Sequence, residues 1–328
     1  MDRMKIYSWS CLLFASCCLG CTGDSSAADD AGRERMDARA SDSAAGDGRA
    51  ADSAADGSTE DASDPGDGQW TGLIMSEWEL AGGTESYYCE RLTVAEDTFV
   101  TGLKSLNPLG THHVVLTLAQ PTQPDGGYPC DVLTNTNRGL YAAGVGSNEF
   151  KFPEGVALHI AAGQQLLLNL HLYNVQEKSI TGTSGVLVQT IAAEDVVHEA
   201  EMVFAGPISL SIPPGDVVQQ GQCTTGHDTT VVGLFPHMHQ LGTHIRVTLN
   251  SSVVGAVTIH DQDYDFLEQT IYPIDSIQMR SGDTVAVECT YRNDTGATVT
   301  WGDSSKQEMC LGVLLRYPRG MGTLSCFL

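Results

Sequence analysis

From Trp70 onward, apolar and polar positions alternate in short runs punctuated by Gly, Pro, Asn and Asp. His113–Leu118, Gln165–Val175, Ile245–Leu249, Val253–Ile259, Thr284–Thr290 and Leu311–Tyr317 are examples. Several keep a period of two and none sustains a period of 3.6, so the pattern predicts strands in preference to helices. Many short strands over about 260 residues predict an all-β body built from antiparallel sandwiches, two in number. A charged interval at 192–200 separates two groups of strand-like runs and marks the expected joint. The expected domains are therefore 70–195 and 196–328.

The N-terminal pattern is different. Arg3 and Lys5 precede a mostly apolar and small stretch from Ile6 to Leu19, which reads as an export signal over residues 1–21. Cys17 follows Phe14-Ala15-Ser16 and Cys21 follows Cys18-Leu19-Gly20, and both settings resemble a lipoprotein processing site. The expected location is outside the cytoplasm, as a cell-surface lipoprotein or as a secreted or periplasmic protein. Residues 22–69 are nearly all Ala, Asp, Ser, Gly and Arg. Such a segment buries too little apolar surface to offset its ordering entropy, so a disordered acidic linker is expected.

Charge narrows the partners. The 328 residues hold 17 Lys and Arg against 41 Asp and Glu, a formal net charge of −24. Nucleic-acid affinity rests on cations that displace counterions from phosphates, so nucleic acid is excluded as the default partner. The expected membrane contact is a lipid anchor alone, and the expected state is a monomer. Of the ten cysteines, six lie in the body: Cys89, Cys130, Cys223, Cys289, Cys310 and Cys326. An even number in an exported chain argues for disulfides, with fifteen connectivities open. No CxxC spacing occurs among the six, which disfavours a thiolate zinc site.

All ten histidines also lie in the body. His112 and His113 are adjacent at the head of one strand, His171 lies inside another, and His237 and His239 form a His-x-His before a third. Residues two apart share a strand face, so His237 and His239 can chelate one metal directly. Adjacent His112 and His113 would point to opposite faces unless a bulge intervenes or Nδ1 atoms are used. His159, His198, His227 and His260 are expected to be surface or hydrogen-bonded residues.

Taken together, the motifs resemble a known family. Thr111-His112-His113-Val114-Val115-Leu116, Phe152-Pro153-Glu154-Gly155 with Leu170-His171-Leu172-Tyr173, Ile212-Pro213-Pro214-Gly215, Pro236-His237-Met238-His239-Gln240-Leu241-Gly242, and Gln307-Glu308-Met309-Cys310 with Leu315-Arg316-Tyr317-Pro318 occur in this order. Over about residues 85–328 this resembles the copper type II ascorbate-dependent monooxygenases, the group of peptidylglycine α-hydroxylating and dopamine β-monooxygenases.

The resemblance implies two jelly-roll β-sandwich domains in tandem, each with one copper, facing each other across a solvent-filled cleft. It implies His112, His113 and His171 as ligands of an electron-storing copper. It implies His237, His239 and Met309 as ligands, and as the catalytic residues, of the copper that hydroxylates substrate. The implied reaction converts R–H, O₂, two electrons and two protons to R–OH and water, with ascorbate or another small reductant restoring the electrons. The implied disulfides are Cys89–Cys130, Cys223–Cys326 and Cys289–Cys310. The ligand types agree with copper, since imidazole suits either oxidation state and a thioether favours Cu(I). Zinc remains the rival metal for three histidines plus water, and a copper-sequestering surface lipoprotein without turnover remains the rival role.

This sequence departs from the amidating member at the substrate clamp. Phe235, Leu311 and Val313 stand where that enzyme has the Arg, Asn and Tyr that hold a carboxylate, so peptide amidation is disfavoured and a less polar or differently oriented substrate is expected. Asn169 stands where that enzyme has Gln, so an electron-path role at this position is in doubt.

Overall fold

The computed structural model describes residues 69–131, 138–144, 146, 149–302, 304, 306–320 and 325–327, without the side chains of 138 and 325–327. The expected signal at 1–21, including Cys17 and Cys21, lies outside the described residues, as does the linker up to residue 68. Among the described residues there is no α-helix, and a single 3-10 turn at Ala193–Asp195 falls in the expected joint.

The chain is an all-β sandwich whose strands are numbered in chain order. The longest sheet runs β1 (Thr71–Leu80), β10 (Ile180–Thr190), β3 (Thr98–Leu106), β8 (Val156–Ile160), β11 (His198–Ala205), β20 (Cys310–Tyr317), β14 (Thr229–Met238) and β17 (Tyr272–Met279), with β7 (Phe150–Lys151) paired to β3. A five-stranded sheet is ordered β5 (Gly126–Cys130), β2 (Glu85–Thr93), β9 (Gln165–Tyr173), β4 (Thr111–Ala119) and β6 (Arg138–Gly144). Another is ordered β16 (Gly255–Asp263), β15 (Gly242–Ser251), β18 (Thr284–Asn293), β13 (Gly215–Thr224) and β21 (Ser325–Phe327). The short β12 (Ser211–Ile212) and β19 (Val299–Thr300) pair with each other.

Period-two burial follows the sequence pattern. In β18, Val285, Val287, Cys289 and Tyr291 are buried while the residues between them are partly exposed. β9, the central strand of its sheet, is buried along nearly its whole length. The expected strand at 253–259 begins instead at Gly255. Val253 and Val254 lie in the turn, where their amides donate to the Ser251 hydroxyl.

The two groups of strands share backbone. β8 and β11 pair in parallel, with His198 opposite Val156 and Ala200 opposite Leu158, so the long sheet crosses the expected joint without a break. Side chains cross it as well: Met202, Phe235, Leu311, Val313 and Leu315 belong to the same hydrophobic cluster as Val114, Leu168 and Phe150. A second cluster, including Val247, Val287, Leu234 and Leu314, fills the space between the far half of the long sheet and the β15–β18 sheet.

Two disulfides add staples. Cys89–Cys130 links neighbouring strands β2 and β5, and Cys289–Cys310 ties the β15–β18 sheet to the long one. For the third expected pair, Cys223 is opposite Cys326 in the β13–β21 ladder, and the side chain of Cys326 lies outside the described residues. Beside the shared sheet, Arg316 is 1% exposed and its Nη2 lies 2.8 Å from Glu201 Oε1 of the adjacent strand. Glu201→Ala, which removes the carboxylate from a buried guanidinium, is expected to cost about 3–5 kcal/mol of stability in chemical denaturation. A loss below about 1 kcal/mol would place the pair among surface-like bridges.

Candidate metal centre

Strand β4 opens at Gly110, which has φ +102°, and a Cβ there would lie 2.6 Å from Ile180 and 2.8 Å from Trp78. Glycine is required by both the left-handed backbone and the contact. The β4–β9 register then shifts between Thr111 and His113. That irregularity breaks strict alternation, and the adjacent imidazoles turn together. His113 faces His171 across the ladder. The Nδ1 atoms of His112 and His113 are 3.1 Å apart, and those of His113 and His171 are 3.4 Å apart. One ligand atom from each of the three lies within 4.8 Å of the others.

Neighbouring groups orient this cluster. The Tyr87 ring stacks on His171 at 4.5 Å and 5°. His171 Nε2 donates to Glu85 Oε1 at 2.5 Å, which leaves the lone pair on Nδ1, facing the cluster. Burial holds His171 below its ordinary pKa, with Glu85 acting in the opposite direction. His113 lies well below the usual histidine range, from burial first, then from His171, His112, His237 and His239. Neutral imidazoles keep the lone pairs that a metal needs.

The second cluster follows from the β14–β20 register. Phe235 pairs with Val313, Pro236 with Gly312, His237 with Leu311 and Met238 with Cys310. One further step brings Met309 beside His239. Alternation then puts Phe235, His237, His239, Met309, Leu311 and Val313 on one face, and all six line one cavity. The rings of His237 and His239 are 5.1 Å apart at 83°.

Each imidazole of the pair donates from Nδ1. His237 reaches Gln269 Oε1 at 2.9 Å and His239 reaches the Gln307 carbonyl at 3.0 Å, so the lone pairs reside on Nε2. Burial and then His239 push the His237 pKa down to about 3. Glu308 is 0% exposed, and its carboxylate accepts the amides of His239 at 2.9 Å and Leu241 at 2.7 Å. Burial raises its pKa to about 7 against those amide bonds and one from the Met309 amide. Tyr291 donates to the Met309 carbonyl at 2.7 Å, and the disulfide partner of Cys289 is the very next residue, Cys310.

The two clusters border one cavity of about 350 Å³, which His113 lines together with His237, His239 and Met309. Where the resemblance implies a solvent-filled cleft, the walls between them are largely apolar. Phe266 stands between the clusters, 5.5 Å from the His112 ring and 6.3 Å from the His239 ring. Three residues on, the Gln269 carbonyl accepts the amide of Gly144, which pairs with His113 across the β4–β6 ladder. A Cβ on Gly144 would lie 3.1 Å from the Gln269 amide nitrogen, so glycine allows this approach. One residue thus holds the His237 tautomer with its side chain and the strand beside His113 with its backbone.

The other histidines stay apart from both clusters. His159 lies between Asp97 and Glu199, at 3.4 and 3.2 Å, His227 bonds to the Pro318 carbonyl, and His198 stacks on Tyr317. His260 is buried and packs on Tyr272 at 5.0 Å. Asn169 spends its amide on the sulfurs of Cys89 and Cys130 and on the Asp131 carbonyl, each at 3.3 Å. Glu85, Tyr87, Phe266, Gln269 and the bracing role of Glu308 were not among the expected site residues. For Glu308 a signal existed in its place beside Met309; for the others the partner strand had to be known first.

Residues 199–327 match the family described as copper type II ascorbate-dependent monooxygenase, C-terminal domain. The chain is similar to DBH-like monooxygenase protein 1 of Mus musculus, 29% identical over 231 residues that cover 61% of this chain and 35% of the relative. It is 26% identical over 202 residues to the putative DBH-like monooxygenase protein 2 of Homo sapiens, covering 55% of this chain and 40% of the relative. The chain thus spans about a third of the length of the first of these relatives. Among solved structures, the infectious bursal disease virus Gx strain aligns with 77% of this chain and 73% of that one, at a TM-score of 0.19 and 10% identity, too remote to bear on fold or function. The matched segment carries the His237, His239 and Met309 motifs, so the C-terminal part of the chain is similar to the copper type II ascorbate-dependent monooxygenase family, as are these relatives by name.

Proposed function

We propose that the protein hydroxylates a C–H bond of an organic substrate, using copper, dioxygen and a small reductant such as ascorbate. The observation that carries this reading is a cluster of three imidazoles whose His113 lines one apolar cavity together with a further imidazole pair and a thioether. His112, His113 and His171 would hold one copper, and His237, His239 and Met309 the other, in two halves divided near residue 195. The donors fit that metal: five imidazoles suit it in either oxidation state, and a soft sulfur at the second cluster favours its reduced form. Met309 also argues against zinc there, while zinc remains the rival for the three-histidine cluster.

Bound copper would supply the one-electron steps and the dioxygen chemistry. The chain's own residues position and protect. Glu85 orients His171, Gln269 and the Gln307 carbonyl hold the tautomers of His237 and His239, and Glu308 braces the His239 turn against the Met309 segment. The apolar walls keep water from the reacting bond. The two disulfides support an oxidising, exported setting. Lipid anchorage and a monomeric state belong to the same proposal.

The deciding experiment is oxygen uptake by the copper-loaded protein. Reductant-dependent uptake matched by hydroxylated product supports the enzyme, whereas two tightly held coppers with no uptake across a broad substrate panel would favour sequestration. His171→Ala is expected to lower copper from two toward one per chain in elemental analysis, and a variant retaining both would remove His171 from the ligand set. Met309→Ala should leave the first copper bound and reduce product formation about 100-fold or more. Unchanged turnover would contradict its role. Glu308→Ala is expected to destabilise the fold by about 1.5–3 kcal/mol and to speed hydrogen exchange at the His239 and Leu241 amides.

A further inference from the structure

The acceptors that stand behind the imidazoles differ in charge between the two clusters. In the antiparallel β2–β9 pair, Tyr87 is opposite His171 and Glu85 is opposite Tyr173. Two residues apart, Tyr87 and Glu85 share a face of β2, so Glu85 is the diagonal neighbour of His171 and its long side chain reaches the ring. Tyr87 stacks on that ring, and Glu85 accepts its Nε2 hydrogen at 2.5 Å. The stack fixes the plane of the imidazole and the hydrogen bond fixes its rotation within that plane. Nδ1 is thereby aimed at His113, 3.4 Å away.

At the second cluster the corresponding acceptors are uncharged: the Gln269 amide oxygen for His237 and the Gln307 carbonyl for His239. The carboxylate beside that pair, Glu308, is engaged by the backbone amides of His239 and Leu241. The first cluster has a further carboxylate close by, because Asp265 precedes Phe266, whose ring lies 5.5 Å from that of His112. Burial and then His171 lower the His112 pKa, while Glu85 and then Asp265 oppose them. A carboxylate that accepts the far N–H of a ligating imidazole makes that imidazole a stronger donor. Stronger donation favours the higher charge on a metal, whereas the Met309 thioether of the other cluster favours the lower.

We propose that Glu85 is a positioning residue which, acting through His171, biases copper at the three-imidazole cluster toward its oxidised form and so sets the potentials of the two clusters apart. This rests on the copper reading of both clusters. The change concerned is one electron at the metal, drawn from the small reductant of that reading, while the proton stays on His171 Nε2. The three-imidazole cluster is then the one that gives up an electron more readily, and the thioether cluster the one that retains it. The Glu85 side chain is 52% exposed, so water screens part of its charge and the short charge-assisted hydrogen bond carries the rest.

The test is a redox titration of the copper-loaded full chain, followed by the electron paramagnetic resonance of Cu(II). Two one-electron potentials are expected, and the lower is the one that should be missing from His171→Ala. Glu85→Gln keeps an acceptor for His171 but removes the charge. It should retain two coppers per chain and raise the lower potential by about 59 mV, a tenfold change in a one-electron equilibrium, with the higher potential unchanged. Glu85→Ala, which removes the acceptor as well, should raise it at least as far. An unchanged lower potential in Glu85→Gln, or an equal rise in both potentials, would overturn the role of Glu85. The wild-type titration needs no Glu85 variant, so misfolding there cannot obscure the order: coincident potentials, or a lower one that survives in His171→Ala, would overturn the proposal too. Oxygen uptake is read separately. The expected shift without uptake removes the monooxygenase reading alone, and uptake without the shift removes the role of Glu85 alone.

Discussion

The pairing of β14 with β20 governs the candidate site. Between Leu234 and Met238 the two strands run without a slip, so His237 meets Leu311 and Met238 meets Cys310. Because side chains alternate with period two, a one-residue slip of β14 would send His237 and His239 to the opposite face and bring Met238 into the cavity, and a slip of β20 would exchange Met309 for Cys310. Several features oppose that shift. Cys310 is bonded to Cys289 on the facing sheet, Tyr264 donates to the Met238 carbonyl at 2.7 Å, and Glu308 gathers the amides of the His239 turn. The sulfur and the two imidazoles are held on separate strands by contacts that lie outside the cavity.

The first cluster is built by the reverse device. Its histidines converge because alternation fails: a register shift at the start of β4 turns His112 and His113 to one side, and Nδ1 atoms close to the backbone meet His171 from β9. Burial lowers the pKa of His112, His113, His171 and His237, so the site gathers unprotonated nitrogen donors beside an apolar wall. That arrangement is costly for a chain with no cation to bind, which is why the donor chemistry, more than any single histidine, supports a metal.

What joins the clusters is continuous backbone and packed side chains. The parallel β8–β11 pair extends one sheet through both groups of strands, and Phe235, Leu311 and Val313 pack into the core that also holds Val114 and Leu168. Phe266 and Gln269 bridge the remaining space, with contacts to both clusters from a single segment between β16 and β17. The cavity is thereby walled by strands remote in sequence.

Much was legible from residue order. Alternation in segments such as Thr284–Thr290 announced strands, because one face of each must be buried, and His-x-His announced a shared face at 237 and 239, although the pair closes β14 and does not open the strand that runs through Leu249. The apolar substitutions at Phe235, Leu311 and Val313 announced a pocket without a carboxylate clamp. These are local properties, set by side-chain polarity and a two-residue period. Strand register and the passage of one sheet across the joint are long-range properties. They depend on which edges find each other once the cores collapse, and no local pattern encodes that. Hence Glu85 behind His171, Gln269 behind His237 and the bulge that reconciles His112 with His113 emerged from the folded chain, where residues far apart in sequence exclude water together.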